Sequence, residues 1–308
     1  MAEVLNFEHN GITVNATESP EAMGGLGDNV IGLVGTAPNA HASIPKNAPF
    51  RINSFTTQAL LDPTGSEAGT LFQAVYQILK VVKVPVYVVI VEEGATPADT
   101  LNNVIGGNEP ITGRKLGLAA LSSVPEDLTI IGAPGFTGTK AVAGEFAAFG
   151  KRIKARVVLD GKDASVADQV TYSGELGGAD LGFDRCLLVH NMPSVYSKAA
   201  KKNVFLSPSS LAIAALAKVK QWESPGNQVT FAEDVSRVVE YNILDTSTEG
   251  DLLNRYGVSY YARTILGGFS LLGNRSITGK FISYVGLEDA ISRKRSEEHT
   301  SELQSPVL

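Results

Sequence analysis

The residues with the strongest claim to chemistry form a glycine-rich run, Gly132-Ala133-Pro134-Gly135-Phe136-Thr137-Gly138-Thr139-Lys140, between an expected strand and an expected helix. A loop in that position can cradle phosphate, because free backbone N–H groups and the positive end of the helix face the same anion. The residue order argues against it. A phosphate loop needs Gly-Lys-Ser/Thr, so that the lysine reaches the phosphates and the hydroxyl holds magnesium. Here Gly138-Thr139-Lys140 reverses the last pair, and the run reads as a tight strand-to-helix turn. A second run, Gly24-Gly25-Leu26-Gly27, precedes a strand instead of following one, the wrong order for a dinucleotide fingerprint, and reads as a hinge.

The remaining candidates are single residues. His9, His41, His190 and His299 stand apart with no metal-ligand spacing. His190 ends an apolar strand and reads as a satisfied core or edge residue, not a base. Asp160 ends a strand, where open α/β sheets place reactive groups, but Asp160-Gly161-Lys162-Asp163 also makes a good turn, and the turn is preferred. Cys186 lies in the apolar run Cys186-Leu187-Leu188-Val189 and reads as a buried thiol. Asn254, with Asn274 and Arg275 in Gly273-Asn274-Arg275-Ser276, could hold an anion; satisfying backbone groups between domains is the preferred reading. No Gly-x-Ser-x-Gly elbow is present. No catalytic, cofactor-binding or metal-ligating residue is therefore assigned, and no cofactor is expected.

The elements that would position these residues alternate. Asn29 to Thr36 reads as a buried strand and Phe50 to Phe55 as another. Helical spacing follows from Thr70 to Leu79, then a β-branched run, Val84 to Val91, of the kind covered on both faces. Helices are expected at 98–104, 115–121, 140–153 and 165–176, and strands at 128–131, 155–159 and 185–190. Alternation at this spacing predicts βαβ units and a layered α/β fold with a mainly parallel sheet. Ser207 opens a helix to Trp222, broken by Glu223-Ser224-Pro225-Gly226-Asn227. Beyond it a strand is expected at 236–241, a helix at 249–256, strands at 258–264 and 268–272, and a last helix from Phe281. These predict an N-terminal extended arm (1–28), an α/β domain (29–222) and an incomplete second α+β domain (223–294).

Composition narrows the partners. The 308 residues carry a net charge of −6, without the basic excess that phosphate neutralisation calls for. Lys198, Lys201 and Lys202 form the densest basic cluster and read as a surface patch. No nucleic acid and no membrane partner is expected: the most apolar run, Val81 to Val91, is too short to span a bilayer and contains Lys83 and Pro85. One cysteine excludes an intrachain disulfide. Gly11-Ile12-Thr13-Val14 is a short strand with no hairpin partner nearby, so it must pair elsewhere, in its own fold or on another chain.

In order along the chain, these motifs resemble the contractile phage tail sheath family. Gly11-Ile12-Thr13-Val14 is similar to that family's N-terminal Gly-Val-x-Val strand, and Asn29-Val30-Ile31-Gly32-Leu33-Val34-Gly35-Thr36-Ala37-Pro38 to its Ser-Val-Ile-Gly-Leu-Val-Gly-Thr-Ala-Pro signature. Ile105-Gly106-Gly107, Thr112-Gly113, Ala133-Pro134-Gly135 and Val157-Val158-Leu159-Asp160 follow in the family's order. So do Trp222 with Ser224, Pro225 and Asn227, then Leu253-Asn254 and Gly273-Asn274-Arg275-Ser276. The family carries Trp before Gly-Asn-Arg; this chain has Leu272.

The resemblance implies a structural subunit and not an enzyme. It implies a homo-oligomer of stacked six-membered rings wound helically around a tail tube, with baseplate and tail terminator proteins as further partners, in a virion tail assembled in the host cytoplasm. It implies that Gly11, Ile12, Thr13 and Val14 donate a strand to a neighbour's sheet by β-augmentation. The alternatives are the sheath of an R-type pyocin-like injection machine and, from another class, an α/β nucleotide-binding enzyme. The family continues past residue 294 to complete an inner, tube-facing domain and the receiving sheet. Residues 295–305 are similar instead to an in-frame translation of a sequencing adapter, so 295–308 are read as an artefact. The chain to residue 294 is expected to lack its strand acceptor and not to form ordered sheaths.

Overall fold

The computed structural model describes residues 29–264 and 267–304, with side chains as far as Arg295. The expected arm, with Gly11 to Val14, lies outside these residues.

The strands are β1 (Ile31–Thr36), β2 (Phe50–Ile52), β3 (Val86–Val91), β4 (Gly107–Asn108), β5 (Lys115–Leu116), β6 (Ile130–Gly132), β7 (Arg156–Asp160) and β8 (Cys186–Val189). They continue with β9 (Pro193–Ser197), β10 (Lys202–Phe205), β11 (Gln228–Val229), β12 (Asp234–Val235), β13 (Val258–Arg263) and β14 (Phe269–Leu272). The helices are α1 (Phe55–Gln58), α2 (Leu71–Val81), α3 (Pro97–Ile105), α4 (Lys140–Ile153), α5 (Val166–Glu175), α6 (Pro208–Lys218), α7 (Glu249–Arg255) and α8 (Ile282–Gln304).

Nine strands form one sheet in the order β11-β14-β13-β8-β7-β6-β1-β3-β2. From β3 to β13 every pairing is parallel; β2 at one end and β14 and β11 at the other run antiparallel to their neighbours. The sheet is buried on both faces, and the side-chain period of two divides it into two cores. Val86, Val88 and Ile90 of β3 face α2 and α6, whereas Tyr87, Val89 and Val91 face the layer of α4, α5 and α7. On β8, Leu187 and Val189 take the first side, Cys186 and Leu188 the second. α6 is apolar nearly all round, with every residue from Pro208 to Ala217 buried, because it lies between the sheet and α2. A three-stranded sheet, β10-β9-β12, flanks this face.

Several expectations change. The boundary expected at Glu223 is no break in the sheet, since β13 pairs in parallel with β8 (Val258 opposite Leu188) and β14 and β11 extend it. What changes there is strand direction. The strand expected at 236–241 is irregular, with only Asp234–Val235 paired; Val238 is exposed and Val239 buried, so the β-branched pair serves no ladder. The helix expected at 115–121 is a two-residue strand followed by a 3-10 turn over Gly117–Ser123. Gly106 and Gly117 both have positive φ, and a Cβ on either would strike the other segment's backbone, so the glycines impose the kink.

Candidate functional site

Strand β7 carries a buried charge at each end, Arg156 at the amino end of the sheet and Asp160 at the carboxyl end. At the carboxyl end the glycine-rich run folds over Asp160. The Gly135 backbone N–H donates to Asp160 Oδ2 at 2.9 Å and the Thr137 hydroxyl to the same oxygen at 2.8 Å. The Ser209 backbone N–H, in the first turn of α6, donates to Oδ1 at 2.8 Å. The position in which a phosphate would be cradled is thus filled by the chain's own carboxylate, which also caps α6. Asp160 closes β7 instead of opening the expected turn, and its carboxyl group takes the loop donors of Gly135 and Thr137. Burial raises its carboxyl pKa, and the hydrogen bonds from Ser209, Thr137 and Gly135 pull it back only in part.

The strand order reverses between β1 and β6, and open α/β sheets bind ligands at that point, outside the carboxyl ends. A cleft of about 620 Å³ opens there, lined by Thr70, Gly135, Ser207 and Ser210, with Glu67 at its side. The Glu67 carboxylate accepts from Gln73 Nε2, Ser197 Oγ and the Lys198 backbone N–H, which ties the cleft wall to β9. The hydroxyls have partners too: Thr70 Oγ1 accepts from the Thr36 N–H, and Ser207 and Ser210 bond to each other. No nucleophile–base pair is assembled from the described lining residues.

His190 follows β8, is 1% exposed, and neither ring nitrogen has a hydrogen-bond partner among the described residues. The expectation of a satisfied histidine fails on this point. Burial pushes its pKa down to about 4, helped by the Arg237 charge, while Asp163, Glu249 and the nearby Lys162 backbone oppose the shift. The folded pKa lies below the unfolded value, so the unfolded chain binds the extra proton first, and stability falls as pH drops from about 6.5 to about 4. Urea unfolding of wild type and His190→Leu should therefore diverge on acidification. The wild type should lose about 3 kcal/mol more than the variant by pH 4; parallel pH profiles would refute this assignment. Cys186 is buried, as expected, and burial raises its thiol pKa well above the ordinary range.

The other singled-out residues are joinery. Asn274 Nδ2 donates to Ser283 Oγ at 3.0 Å, and the Asn274 carbonyl accepts from the Ile282 N–H at 3.0 Å, so Asn274 secures the start of α8. Arg275 Nη1 donates to the Gly279 carbonyl at 3.2 Å, and its guanidinium lies 4.5 Å from the Phe281 ring centre. Gly273 has φ of +120°, and a Cβ there would meet Ser259 Oγ at 2.3 Å. Asn254 lies exposed in the last turn of α7, its carbonyl accepting from the Gly257 N–H. Ser224 Oγ accepts from the Gly226 N–H, Pro225 is buried, and Asn227, at φ of +62°, donates its N–H to the Leu271 carbonyl at 2.7 Å. Trp222 is half-buried under Lys220. Asn274 and Arg275 thus satisfy groups of the turn that leads into α8.

Sequence reasoning missed Arg156. Its guanidinium is 1% exposed and donates to Asn29 Oδ1 at 2.7 Å and to the Gln221 carbonyl at 3.2 Å. Burial pushes its pKa down to about 9, Arg293 adds to the shift and Asp289 opposes it, so it stays a cation at neutral pH. Asp289 pairs with Arg185 at 2.9 Å, and Arg293 donates to Gln221 Oε1 at 2.9 Å and to the Lys154 carbonyl at 2.7 Å. The first half of α8 is held to the amino end of the sheet by this cluster. The one signal in the sequence was an arginine opening a strand whose next three residues are apolar.

Among the described residues no group of three His, Cys, Asp or Glu side chains could hold a metal ion, and no helix is long and apolar enough to cross a membrane. No family model matches the chain. Solved structures do. The anti-feeding prophage (AFP) helical sheath in its contracted state superposes with a TM-score of 0.62 at 17% identity, covering 97% of this chain and 78% of the other. The sheath complex of an extracellular contractile injection system (PVC), also contracted, gives 0.64 at 13% identity over 99% and 78%. The chain has the contractile-sheath fold. A chain of the contracted AFP baseplate shares it, with a TM-score of 0.66 at 17% identity over 99% and 79%. A curated relative of Pseudomonas aeruginosa (strain UCBPP-PA14), described as "Putative prophage major tail sheath protein", is 27% identical over 288 residues, which cover 89% of this chain and 71% of that protein. In this chain the carboxyl-end loops, the reactive corner of many α/β enzymes, are closed by Asp160.

Proposed function

We propose that this chain is a structural subunit of a contractile sheath, polymerising helically around an inner tube and contracting to drive the tube through a target envelope. The observation that carries the reading is the match of 97–99% of the chain to sheath and baseplate chains of contractile machines, alongside the tail sheath relative. The chemistry of the carboxyl end supports it, because the loop that would hold a nucleotide is filled by Asp160. In this reading the nine-stranded body is the rigid unit and Gly11 to Val14 the donated strand; the tube, the baseplate and a terminator are its partners. Contraction is then a change from one subunit lattice to a more stable one, with the bodies moving as rigid units. Trp222, Ser224, Pro225, Asn227, Asn254, Gly273, Asn274 and Arg275 serve as structural joints.

The test is expression of the full reading frame that contains residues 1–294, followed by electron microscopy. Ordered tubes of helically stacked rings are expected. A protein that stays monodisperse and monomeric at all attainable concentrations, or that turns over a nucleotide, would refute the reading.

A further inference from the structure

The segment between β12 and α7 exposes aliphatic side chains that its own chain leaves uncovered. Val238 is 82% exposed, Ile243 79% and Leu244 90%. The segment belongs to the α7 layer: Val239 packs into that core and the Glu240 carbonyl accepts from the Gly250 N–H. It is acidic as well as aliphatic. Glu240 lies within the 238–244 stretch and Asp245 directly after it, and the one basic residue between 236 and 251, Arg237, is already paired with Asp163 at 3.2 Å.

In the opposite layer, against α2, lies a cleft of about 290 Å³ walled by Phe72, Tyr76, Val195, Tyr196 and Phe231. Tyr196 is 56% exposed and Phe231 46%. Two lysines stand over these rings, Lys80 at 4.3 Å from the Phe231 centre and Lys198 at 5.7 Å from Tyr76. Lys201, on the β9–β10 turn, and Lys202, which opens β10, add positive charge close to Lys198 in the chain. Of the two carboxylates in the lining, Glu67 is engaged within the chain and Glu233 is exposed.

We propose that the 238–244 segment of one copy seats its aliphatic side chains in the aromatic, lysine-rimmed cleft of a second copy. The two surfaces are complementary in both character and charge, aliphatic and acidic against aromatic and basic. They lie in different layers of one chain, so the contact is head-to-tail. Such a heterologous contact generates a closed ring or an open helical filament, according to whether its rotation closes. A single loop in a cleft binds weakly, and repetition along a lattice strengthens it. The inference rests on the sheath reading only for the occupant, a second copy.

The test is cysteine pairing in the protein expressed from its full reading frame. Cys186 is buried and silent, and the chosen positions are exposed. The double variant Leu244→Cys/Tyr196→Cys should give, on mild oxidation, a ladder of trimers and longer species, and each single variant no more than dimers. Adding Lys80→Glu and Lys198→Glu should lower the ladder yield about tenfold, because acidic side chains would then face the acidic segment. A double-variant ladder no longer than that of the single variants, with Ile243→Cys failing equally in place of Leu244→Cys, would overturn the contact, as would a ladder unchanged by charge reversal. Ordered tubes without the ladder would remove this contact and leave the sheath reading; a ladder without tubes would do the reverse.

Discussion

Replacing Asp160 by Ala is expected to cost about 3 kcal/mol or more, a substantial share of the roughly 5–15 kcal/mol that holds a typical domain folded. The substitution leaves the Gly135 N–H, the Thr137 hydroxyl and the Ser209 N–H without their acceptor in a region closed to water. The Thr137 hydroxyl also accepts from the Asp160 backbone N–H at 2.8 Å, so the loop and β7 loosen together. Asp160→Asn keeps an acceptor oxygen but turns an NH₂ toward one of the donors, and should lose less than the alanine. The two variants separate on pH. The carboxyl pKa is raised in the folded state, so the folded chain binds the proton more readily, and Asp160 favours the fold less as pH rises above the ordinary carboxylate range. Asp160→Asn should lack that slope. Urea midpoints at pH 4 and pH 7 measure both effects, and an alanine variant within 1 kcal/mol of wild type would contradict the role given to this carboxylate.

Gly286→Ala is the second large expected effect, at the other end of the same strand. A Cβ on Gly286 would lie 1.8 Å from the Gln221 carbonyl oxygen. Both groups are backbone, so neither can swing aside. The methyl would force α8 away from Gln221, breaking the Arg156 and Arg293 bonds to that residue and stranding a buried cation. Overpacking alone costs about 1–3 kcal/mol, and the lost charge contacts add to it. Hydrogen exchange at the Ile282 and Val285 amides should rise to the open limit while β1 and β3 stay protected, because α8 can undock without the sheet. Gly144→Ala in α4 is the matched control. Nothing lies within 4 Å of its Cβ, so the same change there should stabilise by about 0.5–1 kcal/mol. Equal behaviour of the two glycine variants would rule out steric docking of α8.

How much of this was legible depends on how local each signal was. Helix α4 was expected at 140–153 and occurs there, and β3 was plain from its β-branched run, because a buried parallel strand needs nothing beyond its own residues. The hairpin of β9 and β10 was not seen. Pro193 opens one strand, and the turn carries the lysines read as a patch, so its pattern resembles a loop; its pairing is decided by Val195 packing against the core and by Glu67 from far along the chain. The glycine-rich run is refused as a phosphate loop on residue order, but what fills it could not be read, since Asp160 is 25 residues from Gly135. Arg156 was hidden for the same reason. Its partners Asn29 and Gln221 are 127 and 65 residues away, and no periodicity reports contacts at that distance.

Asn29 has a mechanical consequence. Its side chain donates to the Ala217 and Val219 carbonyls at the end of α6 and accepts from Arg156 and from Thr129 Oγ1. Strand β1 begins two residues later and is flanked by parallel partners on both sides. Tension applied at Asn29 along the strand axis would therefore strain the β1–β3 and β1–β6 hydrogen bonds in shear, all at once, instead of unzipping them one by one. The bolt at Asn29 would pass part of that load directly to α6, β6 and β7 before the strand could slide. A body built this way resists being pulled open from that end, and transmits force applied there to its far layer with little stretch.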